Sequence, residues 1–164
     1  MTDPENLLLV TLEALLDPKF SSPYSFSERI DLIGEVLTCD PRPSSQEQQR
    51  QGLLAMLHSM RVGRPDGKDV TVAKAFGSWA TRLSHARKIY CTSKNFYGIG
   101  PYTMRKGDVC IVPYGSKIPF LLRPIAGTDE FLFLGEGYVA GCMKGEMIKM
   151  QEMGKLKERV FVIR

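Results

Sequence analysis

Three carboxylates in the C-terminal half, Asp108, Glu136 and Glu146, are the side chains best suited to acid–base chemistry. Such chemistry needs two carboxyl groups in one cleft, with pKa values that their surroundings push apart. Asp108 follows Gly107, a pair typical of a turn in which the carboxylate accepts hydrogen bonds from nearby amides. We therefore expect a structural role for Asp108, and a Glu136–Glu146 pair remains the enzymatic alternative.

Histidine and cysteine provide no second catalytic pattern. The two histidines, His58 and His85, lack neighbouring ligands at zinc-binding spacing, so we expect no metal and no cofactor. A His85–Cys91 dyad would require two residues on either side of a helix-to-strand change to meet. The four cysteines form no CxxC pair, and we expect reduced, buried thiols at Cys39, Cys91, Cys110 and Cys142.

Arg123 ends an apolar run and needs an acceptor if its guanidinium is buried. We expect an ion pair with Glu136 or Glu146. The alternative is that Arg123 contacts an anionic ligand directly.

Charge is unevenly distributed along the chain. Residues 1–60 carry nine acids and four bases, a net charge of −5, whereas residues 61–164 carry nine acids and eighteen bases, a net charge of +9. Bases and aromatic rings alternate after residue 82, a pattern that small barrels use to bind single-stranded nucleic acid. A basic groove lined by Tyr97, Tyr102 and Arg105 would indicate such a ligand, whereas dispersed bases beside an exposed apolar face would indicate a protein partner.

A methionine-rich segment near the C-terminus is a second candidate contact. Met143, Met147, Met150 and Met153 lie close to one stripe of a helix. Methionine fills gaps in cores and also forms adaptable binding surfaces. We take Met147 and Met150 as candidate partner contacts if the stripe is exposed.

The first half of the 164-residue chain has helical periodicity. Leucines from Leu7 to Leu16 predict a first helix, and Ser25 or Ser27 is expected to cap a second. Ser44-Ser45 with Glu47 resembles a capping box for a third, and the turn Gly63–Gly67 separates it from a fourth. In that fourth helix we expect Trp79 to make the largest contribution to the core.

The second half has the pattern of short strands. They are expected at 88–92, 108–114, 118–123, 130–135, 137–141 and 159–163, with a late helix at 143–153 and glycine-rich punctuation at Tyr97–Pro101. Glycine corners favour a small curved barrel. We predict an α+β fold in which a helical region, residues 1–85, packs on a small antiparallel β-barrel with one late helix, residues 86–164.

The order of several motifs in the second half resembles the C-terminal segment of fungal heterokaryon-incompatibility (HET-domain) proteins. The resemblance covers about residues 86–163. It departs at Ala140, where a polar residue is more usual, and at Lys144, where an acid is common. The motif residues are Gly98, Gly100, Pro101, Gly107, Asp108, Pro119, Phe120, Arg123, Gly135, Glu136, Tyr138, Val139, Gly145 and Glu146.

The resemblance implies a part in fungal non-self recognition and programmed cell death. The leucine-serine-tyrosine and tryptophan-glycine signature associated with the HET domain itself is not found in this sequence. We therefore expect a non-enzymatic module that binds protein, either a HET-domain protein or another copy of this chain. Binding of an anionic ligand or of single-stranded nucleic acid is the alternative. Without a long apolar run, we expect a cytoplasmic protein that does not bind membranes.

Overall fold

The computed structural model describes residues 11–40, 42, 45–62 and 68–164. They adopt an α+β fold in which most of the helices precede the strands, so the predicted fold class is confirmed at that level. The chain divides into two compact units, Met1–His85 and Ala86–Arg164.

The first unit is helical. Residues 11–16 are helical (α1), followed by α2 (Phe26–Thr38), α3 (Gln46–Val62) and α4 (Lys68–Ser84). Each lies where the apolar periodicity predicts a helix. Three predicted features lie outside the described residues: residues 7–10 of the first helix, Ser44 of the capping box, and the turn Gly63–Gly67.

Helix α2 begins at a capping box. Ser25 Oγ accepts a hydrogen bond from the Glu28 amide, and a Glu28 carboxylate oxygen accepts one from the Ser25 amide, at 3.3 and 2.8 Å. The two side chains thereby satisfy amides that have no partner within the helix. The helix ends at Cys39, whose φ of 51° is left-handed. Ser25, and not Ser27, is therefore the cap.

The core of this unit comes from one face of each helix. It contains Leu12, Ile30, Ile33, Leu37, Leu53, Met56, Ala73, Phe76 and Ala80. Gly52 of α3 permits close packing on α4, because a Cβ there would lie 2.5 Å from the Phe76 ring. Trp79 was expected in the core, and this is wrong: its side chain is 53% exposed. Phe76 and Ala80 take the inward face of α4, and Trp79 lies beside that face.

The second unit contains a three-stranded sheet. Its strands are β1 (Arg87–Cys91), β2 (Tyr97–Pro101) and β6 (Tyr138–Val139), and β2 pairs antiparallel with both neighbours. The glycine-rich segment read as punctuation is therefore the central strand. Gly98 explains this, because a Cβ there would lie 2.6 Å from the Tyr90 ring and 2.7 Å from the Tyr138 carbonyl oxygen. The glycines allow the strand to pack closely rather than to turn.

The other sheet has four strands in the order β3-β4-β5-β7. They are β3 (Val109–Ile111), β4 (Phe120–Pro124), β5 (Glu130–Glu136) and β7 (Val162–Ile163). The β3–β4 hairpin and the β4–β5 pair are antiparallel, as predicted. However, β7 pairs parallel with β5, so an entirely antiparallel arrangement is wrong for that strand. The chain reaches β7 by a long connection that contains helix α5 (Glu146–Glu152), which permits a parallel pairing.

The two sheets contact each other at Leu121, which is 3% exposed. Its Cδ2 atom would lie 3.3 Å from a Cβ at Gly100 and 2.6 Å from one at Gly137. Across residues 86–164 the strands remain two separate hydrogen-bonded sheets, and they do not form a closed barrel. Among the helices that are described, none combines the length and apolar character required to cross a membrane.

Candidate functional site

The most organised polar contact of the second unit joins Asp108 and Arg123. Arg123 donates from Nε and from a terminal nitrogen to the two carboxylate oxygens of Asp108, both at 2.8 Å. The Asp108 side chain is 6% exposed and the Arg123 side chain is 20% exposed. The Arg123 hydrogen bonds hold the pKa of Asp108 below its usual range. Asp108 is therefore an ionised structural partner.

The predicted partners of Arg123, Glu136 and Glu146, are wrong. Val109 of β3 pairs with Leu122 of β4, so the hairpin register places the residue before Val109 beside the residue after Leu122. Directly opposed residues on neighbouring strands have side chains on the same face. The hairpin register therefore selects Asp108 as the acceptor.

This ion pair also fixes the segment between β2 and β3, residues 102–107, which we call the basic loop. Arg123 donates to the Thr103 carbonyl oxygen at 2.7 Å, and the Arg105 amide donates to Asp108 Oδ2 at 2.8 Å. Gly107 makes the final turn of the loop with a φ of +98°, a backbone conformation that residues other than glycine rarely adopt. The loop backbone is thus held by side chains from β4 and from its own end.

The basic loop presents an aromatic ring and several cations to solvent. Tyr102 is 55% exposed, and the Lys88 ammonium lies 4.5 Å from its ring centroid. Lys88 also donates to the Met104 carbonyl oxygen at 3.3 Å. The side chains of Arg105 and Lys106 are exposed. Cations around an exposed ring suit an anion with an aromatic or planar group.

Tyr97 does not contribute to this surface, because it is 1% exposed and belongs to the core. The anticipated groove of Tyr97, Tyr102 and Arg105 therefore has only the last two residues at the surface. Strand alternation does not explain the difference, since all of Tyr97–Gly100 is buried. The glycines of β2 could have signalled a strand covered on both faces.

The cysteines lie in surroundings unsuited to nucleophilic chemistry. Cys142 is buried, and Cys39, Cys91 and Cys110 are half-buried; all four are free thiols. Burial raises the pKa of Cys91 and of Cys110. The Tyr90 hydroxyl lies 3.6 Å from Cys110 Sγ, and burial raises the pKa of that phenol as well. A higher thiol pKa leaves less of the reactive thiolate at neutral pH.

The two glutamates lie at the ends of different elements. Glu136 ends β5 opposite Phe120, and its side chain is exposed. Glu146 begins α5 and accepts a hydrogen bond from the Lys144 amide at 2.6 Å, beside Gly145. Among the described residues, no three His, Cys, Asp or Glu side chains are grouped so that they could hold a metal ion.

The methionine stripe is only partly at the surface. Met143, Met147 and Met150 are half-buried, whereas Ile148 and Met153 are 57% and 65% exposed. The remaining motif positions build strands. Gly100 and Pro101 lie in β2, Pro119 immediately before β4 and Phe120 in it, Gly135 in β5, and Tyr138 and Val139 in β6.

An apolar surface extends across the neighbouring strands β5 and β7. Leu132 and Val162 lie on one face of the sheet and are 45% and 54% exposed, whereas Phe133 and Ile163 lie on the opposite face and are 41% and 44% exposed. We call Leu132 and Val162 the β5–β7 surface. Contiguous exposed apolar side chains on adjacent strands are typical of sites that bind protein. The sequence pattern does not reveal this surface, because an apolar strand is ordinarily taken as core.

Comparison with known proteins agrees with the resemblance drawn from the motifs. The family described as Het-6 beta-barrel domain matches residues 44–161. A 73-residue stretch is 33% identical to "Heterokaryon incompatibility protein 6, OR allele" of Neurospora crassa. That match covers 43% of this chain and 11% of the Neurospora protein. No solved structure matches the chain significantly.

Proposed function

This chain belongs to the Het-6 beta-barrel domain family, and we propose that it is a non-enzymatic recognition module of fungal heterokaryon incompatibility that binds a protein partner. Its contribution to programmed cell death would then consist in recognition, with any effector chemistry supplied by another protein or domain. The family description names a β-barrel, and we take the two sheets that meet at Leu121 as the parts of that barrel in this chain.

The observation that carries this proposal is the β5–β7 surface. Leu132 and Val162 are exposed on the same face of two neighbouring strands, beside the polar side chains of Arg123 and Glu130 that lie opposite them in the sheet. Solvation of apolar side chains costs free energy that a partner recovers when it covers them, at about 25 cal/mol per Å² of apolar area. Protein interfaces commonly use such a patch with a polar rim.

The described surroundings of the candidate residues also support a module without catalysis. Asp108 is committed to Arg123, and the pKa of Cys91 and of Cys110 is raised by burial. An active site would need a titratable group poised near neutral pH beside a reacting group. The clearest polar cluster of this unit is instead an ion pair that stabilises a loop.

Cell death after fusion of incompatible fungal strains provides the test. One strain should carry the chain with Leu132→Lys, which places a charge in the β5–β7 surface. We expect fused cells to survive, because the partner no longer covers that surface. Lys157→Glu, a charge change at an exposed position outside the β5–β7 surface, is the control and should leave cell death unchanged. Death that persists with Leu132→Lys would reject this surface as the recognition site.

The second candidate function is the binding of an anionic ligand or single-stranded nucleic acid by the basic loop. The specific observation is the exposed Tyr102 ring beside Lys88, with Arg105 and Lys106 in the same loop. Electrostatic binding of this kind weakens steeply as salt rises. Titration of a fluorescent oligonucleotide at low and high salt should show salt-sensitive binding that Arg105→Glu removes and Leu132→Lys retains. Absence of binding at low salt would reject this candidate.

A further inference from the structure

Strand β7 has one unpaired edge. It is the last strand in the order β3-β4-β5-β7, and among the described residues no strand pairs with its other side. The Arg164 amide donates to the Phe131 carbonyl oxygen at 2.9 Å, so the backbone groups of Arg164 point toward β5. Because alternate residues of a parallel-paired strand point to the same neighbour, those of Ile163 point outward, and a strand continued back through residues 158–161 would turn those of Phe161 outward as well.

The segment 158–164 around β7 is held against the sheet mainly by its charged and aromatic residues. Phe161 packs on Phe131 with a centroid distance of 5.0 Å, and the Arg159 guanidinium lies over both rings. Tyr114 donates to a Glu158 carboxylate oxygen. Its valines remain exposed: Val160 is 89% exposed and Val162 is 54% exposed. An exposed apolar edge of this kind is a template for another strand.

We infer that this edge pairs antiparallel with the same edge of a second copy of the chain. This inference rests on the proposed function, because it identifies the recognised partner as another copy, whose edge strand lies beside Val162 of the β5–β7 surface. The argument comes from register and charge. In an antiparallel ladder, residues whose backbone groups point outward pair with residues of the same kind. Odd-numbered residues such as Phe161 therefore pair with odd-numbered residues of the other copy.

One register satisfies this rule and also matches charge with charge. When Phe161 lies opposite Phe161 of the other copy, Val160 lies opposite Val162, and Glu158 lies opposite Arg164. The symmetry of the pair repeats each contact, so two Glu158–Arg164 pairs flank an apolar centre. Cross-strand pairs of opposite charge are favourable, and like charges in the same position are unfavourable.

The next allowed registers lose this match. When Val162 lies opposite Val162, Arg164 faces Val160. When Val160 lies opposite Val160, Glu158 faces Val162 and Arg164 faces Leu156. If pairing draws residues 158–161 into the strand, the chosen register forms about six hydrogen bonds between the two copies. Arg164 is 71% exposed and contacts Glu130 through Nε, which leaves its other guanidinium N–H groups for Glu158 of the second copy.

Sedimentation equilibrium of the purified chain over a wide concentration range tests the pairing without any other protein. We expect a reversible dimer. Ile163→Pro removes an outward-facing amide and should abolish the dimer, whereas Ile163→Ala keeps the amide and should weaken it only slightly. A wild-type chain that stays monomeric up to the highest soluble concentration would overturn the inference, as would a dimer unaffected by Ile163→Pro.

Charge reversal tests the register itself. Arg164→Glu alone and Glu158→Arg alone each place like charges in both flanking pairs, and each should self-associate at least about tenfold more weakly than wild type. Mixed together, the two variants restore opposite charges in both pairs and should form a heterodimer close to wild-type affinity. Equal weakening in the mixture would overturn the register, and circular dichroism would verify that both variants are folded.

The two proposals fail separately. Loss of cell death in Leu132→Lys while the dimer is absent would retain the recognition function and reject self-pairing, pointing to a strand or surface of a different protein. A dimer that Ile163→Pro abolishes while cell death is unaffected would confirm self-pairing and separate it from recognition.

Discussion

Arg29 in the helical unit is buried and Arg123 in the strand unit is partly buried, and their charges are stabilised differently. Arg29 is 5% exposed and donates from one terminal nitrogen to the backbone carbonyls of Leu15 and Asp17, each at 2.9 Å. Its Nε is buried and has no hydrogen-bond partner among the described residues. Arg123 has a two-point contact with the carboxylate of Asp108.

The difference follows from the elements around each arginine. The carbonyls at the end of a helix have no partner within it and carry partial negative charge, so the end of α1 holds Arg29 with backbone dipoles, and the guanidinium also lies 5.9 Å from the centroid of the Phe26 ring. A hairpin has no such group of free carbonyls, and its register supplies a carboxylate to Arg123 instead. Backbone carbonyls do not take up a proton over the ordinary pH range, so the stabilisation of Arg29 does not depend on pH. The stabilisation of Arg123 is lost when Asp108 becomes protonated in acid.

The largest effect is expected for Arg123→Met, which leaves the Asp108 carboxylate without its cation. We expect the largest loss in the free energy of unfolding among the variants described below, because two charge-assisted hydrogen bonds and the contact with the Thr103 carbonyl are removed together. Urea unfolding combined with peptide-resolved hydrogen exchange over residues 102–124 measures it. Replacing both partners, as Asp108→Asn with Arg123→Met, should recover most of the loss. A single variant as stable as wild type would show that the ion pair does not stabilise this unit.

Arg29→Met should cost less, about 2 kcal/mol. The change leaves the carbonyls of Leu15 and Asp17 without their donor, but it also removes a buried charge with an unpaired Nε. Fluorescence of Trp79, the single tryptophan, follows unfolding of this unit. Arg61→Met, at an exposed ion pair with Glu13, is the matched control and should change stability by less than about 0.5 kcal/mol. Equal losses in the two variants would contradict the role given to Arg29.

Ser25→Ala should destabilise the helical unit by about 1 kcal/mol, because the Glu28 amide loses its acceptor. Ser27 lies within α2 and does not cap it, so Ser27→Ala should be neutral. Thermal unfolding of the two variants measures the difference. A larger loss in Ser27→Ala than in Ser25→Ala would show that Ser25 is not the cap.

The smallest effect concerns pH and separates the two arginines most cleanly. The pKa of Asp108 is lowered in the folded protein, so its ion pair adds stability above the unfolded pKa and loses it as pH falls through the folded pKa. We expect the stability difference between wild type and Asp108→Asn to narrow below about pH 4. The difference between wild type and Arg29→Met should stay constant over the same range. Unfolding curves at several pH values test this, and a difference that widens in acid would reverse the sign of the argument.

Local sequence was sufficient for most elements. A capping serine, Ser25 or Ser27, predicted the start of α2, and turn residues on either side of β4 predicted the hairpin and the strand after it. Those features depend on residues a few positions apart, and hydrogen bonds between such neighbours form in the same way in most surroundings. The predictions for Trp79 and for Tyr97–Pro101 failed, because each depends on what another element places beside it.

The candidate surfaces show the same division. Composition predicted a basic and aromatic segment, and Tyr102 and Arg105 are indeed at its surface. Tyr97, five residues before Tyr102, is buried because β2 is covered on both sides. The exposed Leu132 and Phe133 could not be distinguished from core residues by pattern alone, since an apolar strand reads the same whether or not another layer covers it.

By itself, the sequence determined the α+β class, the family, and the placement of most helices and strands, because capping boxes, turns and periodicity act over short distances. The tertiary structure alone decided that Arg123 pairs with Asp108 and that β7 lies parallel to β5 with one edge free. Strand register sets which distant side chains meet, and it is fixed by contacts across the whole sheet rather than by neighbours along the chain.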